Sequence, residues 1–278
     1  MAHGHAAELK PFGGSLVPAS AIPGVHSASL VGNTFMADTA DYTALVRNRK
    51  SCHECLGLTN PADVGGGSFD SDQIGPWSLW QGNLNAALMV VGQDWGDTDS
   101  FRRQAGREGL SSPTNRALVE LVGIAGVSIG DPGSPVGRDV TFFTNAILCL
   151  KGPEGGLQGK VMRPWFKNCA RFLRRQIEII GPKVVVGLGE HAYRTILGGF
   201  NLTGGRFLSA VEANGGTLLP NGTRAFAVYH CGVRIQNTHR KMDIQRQDWA
   251  RIRPFLPVGR PVSPFACAPP ALRDGASR

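Results

Sequence analysis

Four short runs of the chain are apolar at almost every position: 86–92 (AALMVVG), 140–148 (VTFFTNAIL), 183–189 (KVVVGLG) and 224–230 (RAFAVYH). A strand with one face in water alternates polar and apolar residues, whereas a strand covered on both faces does not. These runs therefore predict the strands of a buried parallel sheet. Between them the spacing changes to that of helices. Ser112 is placed to cap a helix starting at Pro113, with Ala117, Leu118, Leu121 and Val122 facing inward and Gly123 or Gly126 at its end. A second helix is predicted from Pro164 to Ile180, where Cys169, Phe172, Leu173, Ile177 and Ile180 form one stripe and Gly181-Pro182 stops the turn. A third, shorter one falls at 192–197. This alternation predicts an α/β fold over 45–256, a three-layer α/β/α domain with a central, mainly parallel four-stranded sheet. The flanks are rich in Gly, Ala, Pro and Ser and lack periodicity, so 1–44 is expected as a loosely ordered N-terminal extension and 257–278 as a disordered C-terminal tail.

A length of 278 residues suits one large domain, and a net charge of +8 favours a polyanionic partner, with nucleic acid the leading candidate. No stretch approaches the roughly 18 apolar residues that span a bilayer, and the N-terminus lacks a basic segment followed by an apolar one. A cytoplasmic monomer with no membrane partner is therefore expected. In that reducing compartment clustered cysteines point to metal rather than to disulfides. Cys52 and Cys55 have the C-x-x-C spacing that lets one turn present two thiolates to the same metal, Cys149 follows the second strand run, and Cys169 opens the second helix. Four thiolates can hold an iron-sulfur cluster or a structural zinc, and thiolate softness does not choose between them. The bland alternative is a redox or chance C-x-x-C with two buried structural cysteines.

In folds of this class ligands bind at the carboxyl ends of the strands, which selects Gln93-Asp94, Asn145 and His230. Asp94 could activate a water or stabilise a cationic transition state, although Asp94 or Asp97 could equally cap the next element. The amide of Asn145 offers both a donor and an acceptor to the edge of a ring such as a pyrimidine, or ties two loops together. His230 could donate to an oxyanion on a leaving group, or be structural.

Val90-Val91-Gly92-Gln93-Asp94 followed by Trp95, then Phe143-Thr144-Asn145-Ala146-Ile147-Leu148-Cys149, then the helix from Cys169 leading to 182–189, and finally Val228-Tyr229-His230, resemble in that order the segments of the uracil-DNA glycosylase superfamily. Cys52, Cys55, Cys149 and Cys169 match the places of the cluster cysteines in its iron-sulfur, family 4 branch. The resemblance covers residues 50–255 and implies a DNA glycosylase that flips out uracil, or a related deaminated base, and removes it hydrolytically. It implies Asp94 and His230 as catalytic, and Gln93, Trp95, Phe101 and Asn145 around the base. It places Arg234, with Val233 and Ile235, in the DNA-binding loop that wedges into the duplex, and Arg240 and Lys241, with Arg246, Arg251 and Arg253 beyond it, where phosphate contacts would lie, or on a solvated helix face. It implies a [4Fe-4S] cluster as cofactor, with structural zinc as the alternative, and DNA containing uracil or another damaged base as partner. The chain departs from the pattern in two places. Gln93-Asp94 is closer to the family 1 form, and His230-Cys231-Gly232 stands where His-Pro-Ser is usual, so the loop lacks the rigidity of proline. Those departures keep open a damaged-DNA-binding protein that lost catalysis, and a relative that captures the abasic sugar covalently, with His239 as the nucleophile.

Overall fold

The computed structural model of the chain describes residues 39–75, 81–107, 112–131, 134–135, 140–152 and 160–257. The two expected terminal extensions therefore lie outside the described residues except at 39–44 and 257. In chain order the elements are α1 (Thr39–Lys50), β1 (Leu58–Thr59), a 3-10 segment (Pro61–Gly67), β2 (Leu88–Gly92), α2 (Thr98–Arg103), α3 (Pro113–Ile124), β3 (Gly130–Asp131), β4 (Ser134–Pro135), β5 (Thr141–Asn145), β6 (Leu150–Lys151), α4 (Arg163–Ile180), β7 (Val184–Leu188), α5 (Glu190–Gly199), α6 (Phe207–Glu212), β8 (Thr217–Leu218), β9 (Arg224–Val228), α7 (Val233–Thr238) and α8 (Met242–Ala250).

The central sheet has the order β5-β2-β7-β9-β8, and the four apolar runs of the sequence are its four parallel strands. A fifth strand, β8, joins the edge antiparallel to β9, beyond the four expected. It is two residues long and leaves Leu218 exposed, so it makes no apolar run. Pleating sends alternate side chains to opposite faces. Leu88, Val90, Val184, Val186, Phe226 and Val228 pack with Leu121 and Val122 of α3 and Trp249 of α8. Met89, Val91, Val185, Ala225 and Ala227 pack with α1, α4 and α5 on the other face. Both faces are thus dry, which is why the strands read as continuous apolar runs.

Because α3, joining β2 to β5, and α5, which follows β7 toward β9, lie on opposite faces, the connections part between β2 and β7. A crevice outside the carboxyl ends is the expected consequence. There the register sets Gly92 opposite Asn145 and Leu188 opposite Val228, so the residues that follow β2, β5, β7 and β9 emerge at one edge.

Local chemistry fixes the ends of these elements. Ser112 Oγ accepts from the Asn115 N–H at 3.1 Å, so the predicted cap on α3 forms. Gly181 ends α4 in a left-handed conformation, φ 55°. The run 140–148 is strand only to Asn145, because the Ala146 and Ile147 amides turn to the carbonyls of Gly92 and Gln93, at 2.8 and 3.0 Å. Cys169 lies in the second turn of α4 rather than opening it. Helix α1 starts at Thr39 and buries Tyr42, Leu45 and Val46, so folded structure begins ahead of the expected boundary at 45. Among the described residues no helix is long and apolar enough to cross a membrane.

Candidate active site

Asp94 sits two residues beyond β2. Capping falls to Asp97 instead, whose carboxylate accepts from the Ser100 N–H at 2.7 Å and starts α2. The Asp94 side chain is 9% exposed and both of its oxygens are engaged: Oδ2 accepts from Gln93 Nε2 at 2.8 Å, and Oδ1 lies 3.1 Å from Lys151 Nζ. Lys151, itself 4% exposed at the side chain, was invisible to motif reasoning. It stands alone in a two-residue strand, and the one cue was a cation closing an otherwise apolar stretch. The loop after β2 is zipped onto the same segment, since the Lys151 N–H donates to the Gly96 carbonyl at 2.8 Å.

Asn145 closes β5, almost wholly buried. A Cβ at Gly92 would come within 2.2 Å of Asn145 Oδ1, so only glycine leaves room for the carboxamide to lie against the backbone that leads to Asp94. Beyond β9, His230 Nδ1 accepts from the Gly232 N–H at 3.0 Å. That bond assigns the neutral tautomer with its proton on Nε2, which makes Nε2 a donor. Burial lowers the His230 pKa from its ordinary 6.5, while the charge of Asp94, near enough to be felt, pulls the other way. Cys231, between His230 and Gly232, is buried; its thiol donates to the Thr114 carbonyl at 3.5 Å and ties the loop to α3. This tie and the Gly232 bond hold the loop in place of the missing proline.

The tautomer has a consequence for stability. A histidine whose folded pKa is depressed takes up its proton more readily in the unfolded chain, so it contributes stability above the unfolded value that is lost as pH falls. The melting temperature should therefore fall between about pH 7 and about pH 5 partly through His230, and fall less in His230→Gln. Equal falls in thermal melts of the two proteins would refute the neutral assignment.

Trp95 and Phe101 meet edge to face, with ring centroids 6.2 Å apart, and Phe69 meets Phe101 likewise at 6.5 Å. Phe101 is 0% exposed and packs with Val64 and Leu150, so it presents no ring face to a base; this corrects its expected place at the base and leaves it supporting Trp95. The basic run divides similarly. Arg240 grips Asp248 with two hydrogen bonds of 2.9 and 2.7 Å and lies over the Tyr229 ring, an internal strut rather than the expected phosphate contact. Arg246 pairs with Glu120 and Asp243, and Arg251 with Asp248. Arg234 on α7 and Lys241 before α8 are exposed, as is His239, whose Nδ1 contacts the Thr238 hydroxyl.

The four cysteines lie together. Cys52, Cys55, Cys149 and Cys169 line one cavity of about 50 Å³ with Arg49, Asn60 and Phe172. Among the described residues no three His, Cys, Asp or Glu side chains converge as ligands of a single ion. Asn168 Nδ2 and Arg171 Nη2 each donate to sulfur at 3.5 Å, onto Cys55 and Cys52. As thiols, Cys55 and Cys169 share a hydrogen bond that lowers the pKa of the first and raises that of the second, and burial pushes Cys149 up to about 12. The C-x-x-C turn is clamped from outside: Trp165 Nε1 donates to the Leu56 carbonyl at 3.0 Å, and Asn60 Nδ2 to those of Arg49 and Cys52 at 2.8 and 2.9 Å. Donors aimed at sulfur suit thiolates that carry negative charge, so the residues present fit a thiolate-held metal group.

The family model described as the Uracil DNA glycosylase superfamily matches residues 79–253. The chain is 28% identical over 176 residues to the Type-5 uracil-DNA glycosylase of Pyrobaculum aerophilum, covering 59% of this chain and 72% of that protein. It is 24% identical over 192 residues to the Type-4 uracil-DNA glycosylase of Sulfurisphaera tokodaii, covering 63% and 76%.

Proposed function

Because the chain belongs to the uracil DNA glycosylase superfamily, we propose that it is a monofunctional DNA glycosylase that hydrolyses the bond between uracil, or a related deaminated base, and deoxyribose. The observation that carries this reading is the meeting of a carboxylate, a carboxamide and a neutral imidazole at one sheet edge, Asp94, Asn145 and His230. Breaking the N-glycosidic bond leaves cationic character on C1′ and the bonding electron pair on the base. His230 Nε2–H donates to the carbonyl oxygen on which that charge gathers, and a neutral donor does so without adding a charge that would hold the product. Asp94 aligns a water whose oxygen bonds to C1′ and accepts the proton it sheds. The base reaches them only out of the stack, a few kcal/mol that contacts to the flipped nucleotide and the backbone offset. Asn145 reads the edge of the flipped base. Gln93, whose amide is given to Asp94, lines the pocket with its backbone, and Trp95 bounds it. Arg234 and Lys241 contact phosphate.

Cys52, Cys55, Cys149 and Cys169 would hold a [4Fe-4S] cluster, with structural zinc as the alternative. When bound, the group supplies a rigid cross-link among the C-x-x-C turn, the segment before β6 and α4. Its work is structural, since none of the four thiols lies among the strand-end residues. Cys149→Ser should therefore lose iron and sulfide and melt at lower temperature. A variant that keeps its metal and its melting point but loses excision would contradict this.

The reading is tested with single- and double-stranded oligonucleotides carrying uracil, hypoxanthine or xanthine, followed by alkaline cleavage. Abasic sites with uracil, and fewer in His230→Gln, are expected. Tight binding without base release would favour a damaged-DNA-binding protein instead. A denaturant-stable protein-DNA band, lost in a His239 variant, would favour covalent capture.

A further inference from the structure

We infer that Lys151 is a positioning residue for Asp94, and that the segment between the thiol cavity and the catalytic edge sets its place; this rests on the glycosylase reading above. An ammonium group 3.1 Å from a catalytic carboxylate, both side chains 9% exposed or less, is a committed arrangement. Burying a charge is costly unless it is paired, so each partner holds the other where it is. Seen from the sugar, the lysine cancels part of the Asp94 charge. What the pair gains is geometry. With Lys151 on Oδ1 and Gln93 on Oδ2, the carboxylate plane is fixed and only its remaining lone pairs can face a water.

Lys151 is anchored in turn by its backbone. It pairs with Leu58 in the β1–β6 ladder, and its N–H donates to the Gly96 carbonyl at 2.8 Å. Leu58 follows the C-x-x-C turn by three residues and lines the thiol cavity, and Cys149 precedes Lys151 by two. The thiol cavity and the active carboxylate are thus joined through Cys149-Leu150-Lys151, and a disturbance of the turn at 52–55 reaches Asp94 by way of β1 and β6.

The test is a set of four variants, Lys151→Met, Lys151→Arg, Asp94→Asn and the Asp94→Asn/Lys151→Met double, each measured for uracil release and for thermal melting. Lys151→Met should lower kcat about 100-fold with KM little changed, the loss expected when a reacting group is misplaced by about 1 Å. Lys151→Arg should recover part of it. In the Asp94→Asn background Lys151→Met should cost almost nothing further in kcat, because the carboxylate it positions is gone. A lysine that serves only the fold would cost as much in both backgrounds, and that outcome overturns the inference. So would borohydride trapping of a covalent adduct that vanishes in Lys151→Met, because the amine would then be the nucleophile. Melting separates this inference from the reading it rests on. If the wild type releases no base but the double variant melts higher than Lys151→Met alone, the pair stands and the glycosylase reading falls. If base release is normal and the two changes act independently, Lys151 is not the positioning residue.

Discussion

Asp94→Asn should lower the rate of uracil release about a thousandfold while leaving binding of uracil-containing DNA nearly intact. The substitution keeps the shape of the side chain, and its amide oxygen still accepts from Lys151, so the loop after β2 stays zipped to the segment 146–151. What disappears is the capacity to take a proton from the attacking water and the negative charge near C1′. General base catalysis contributes about 10²–10⁴ in rate, and Asp94, unlike Asp97, stands beyond β2 without serving as a cap. In the proposed reaction His230 acts on the other side of the bond, as a hydrogen-bond donor that Gln would replace in part, so His230→Gln should cost less. Single-turnover kinetics separate rate from affinity; a rate within tenfold of wild type would place the chemistry elsewhere.

The second large effect is on folding. Arg49→Met should lower stability by about 3–5 kcal/mol, the usual cost of stripping one partner from a buried ion pair. Arg49 is 1% exposed and its Nη1 bonds Asp70 Oδ2 at 2.8 Å, with Asp70 2% exposed. Its Nη2 donates to the Gln73 carbonyl at 2.8 Å, and its own carbonyl accepts from Asn60, which also holds Cys52. One side chain thus fixes the segment 70–73 and borders the thiol cavity, so its loss should loosen that cavity as well as the fold. Chemical denaturation checks the magnitude. Asp70→Leu added to Arg49→Met should restore part of the loss, because the buried carboxylate is then gone rather than left with only the more distant, partly exposed Lys50 at 3.7 Å; a double variant less stable than Arg49→Met would contradict the pairing.

The sheet was legible in the sequence because both of its faces are buried. Met89 and Val90 point in opposite directions yet are equally dry, and that doubles the signal of each strand. The common strand-end placement of Asp94, Asn145 and His230 was legible for a related reason: each follows or closes an apolar run, and parallel strands bring their carboxyl ends to one edge. Lys151 was not, since a lone cation at the end of an apolar stretch does not name a partner 57 positions away. Phe101 and Arg240 misled for the opposite reason. Their types suit a base stack and a phosphate contact, but only the packing of α2 and the carboxylate of Asp248 decide where they point. The thiols were found by spacing alone, and the structure adds what spacing could not, the donors from Asn168 and Arg171 that face them.

The central claim is that a water aligned by Asp94 replaces the base at C1′. Incubating the protein with a uracil-containing duplex in ¹⁸O-labelled water, with mass analysis of both products, tests it most directly. The account predicts free uracil without label and an abasic strand carrying one ¹⁸O at C1′, with neither formed by Asp94→Asn. An intact strand, or sugar recovered bound to protein, would contradict it.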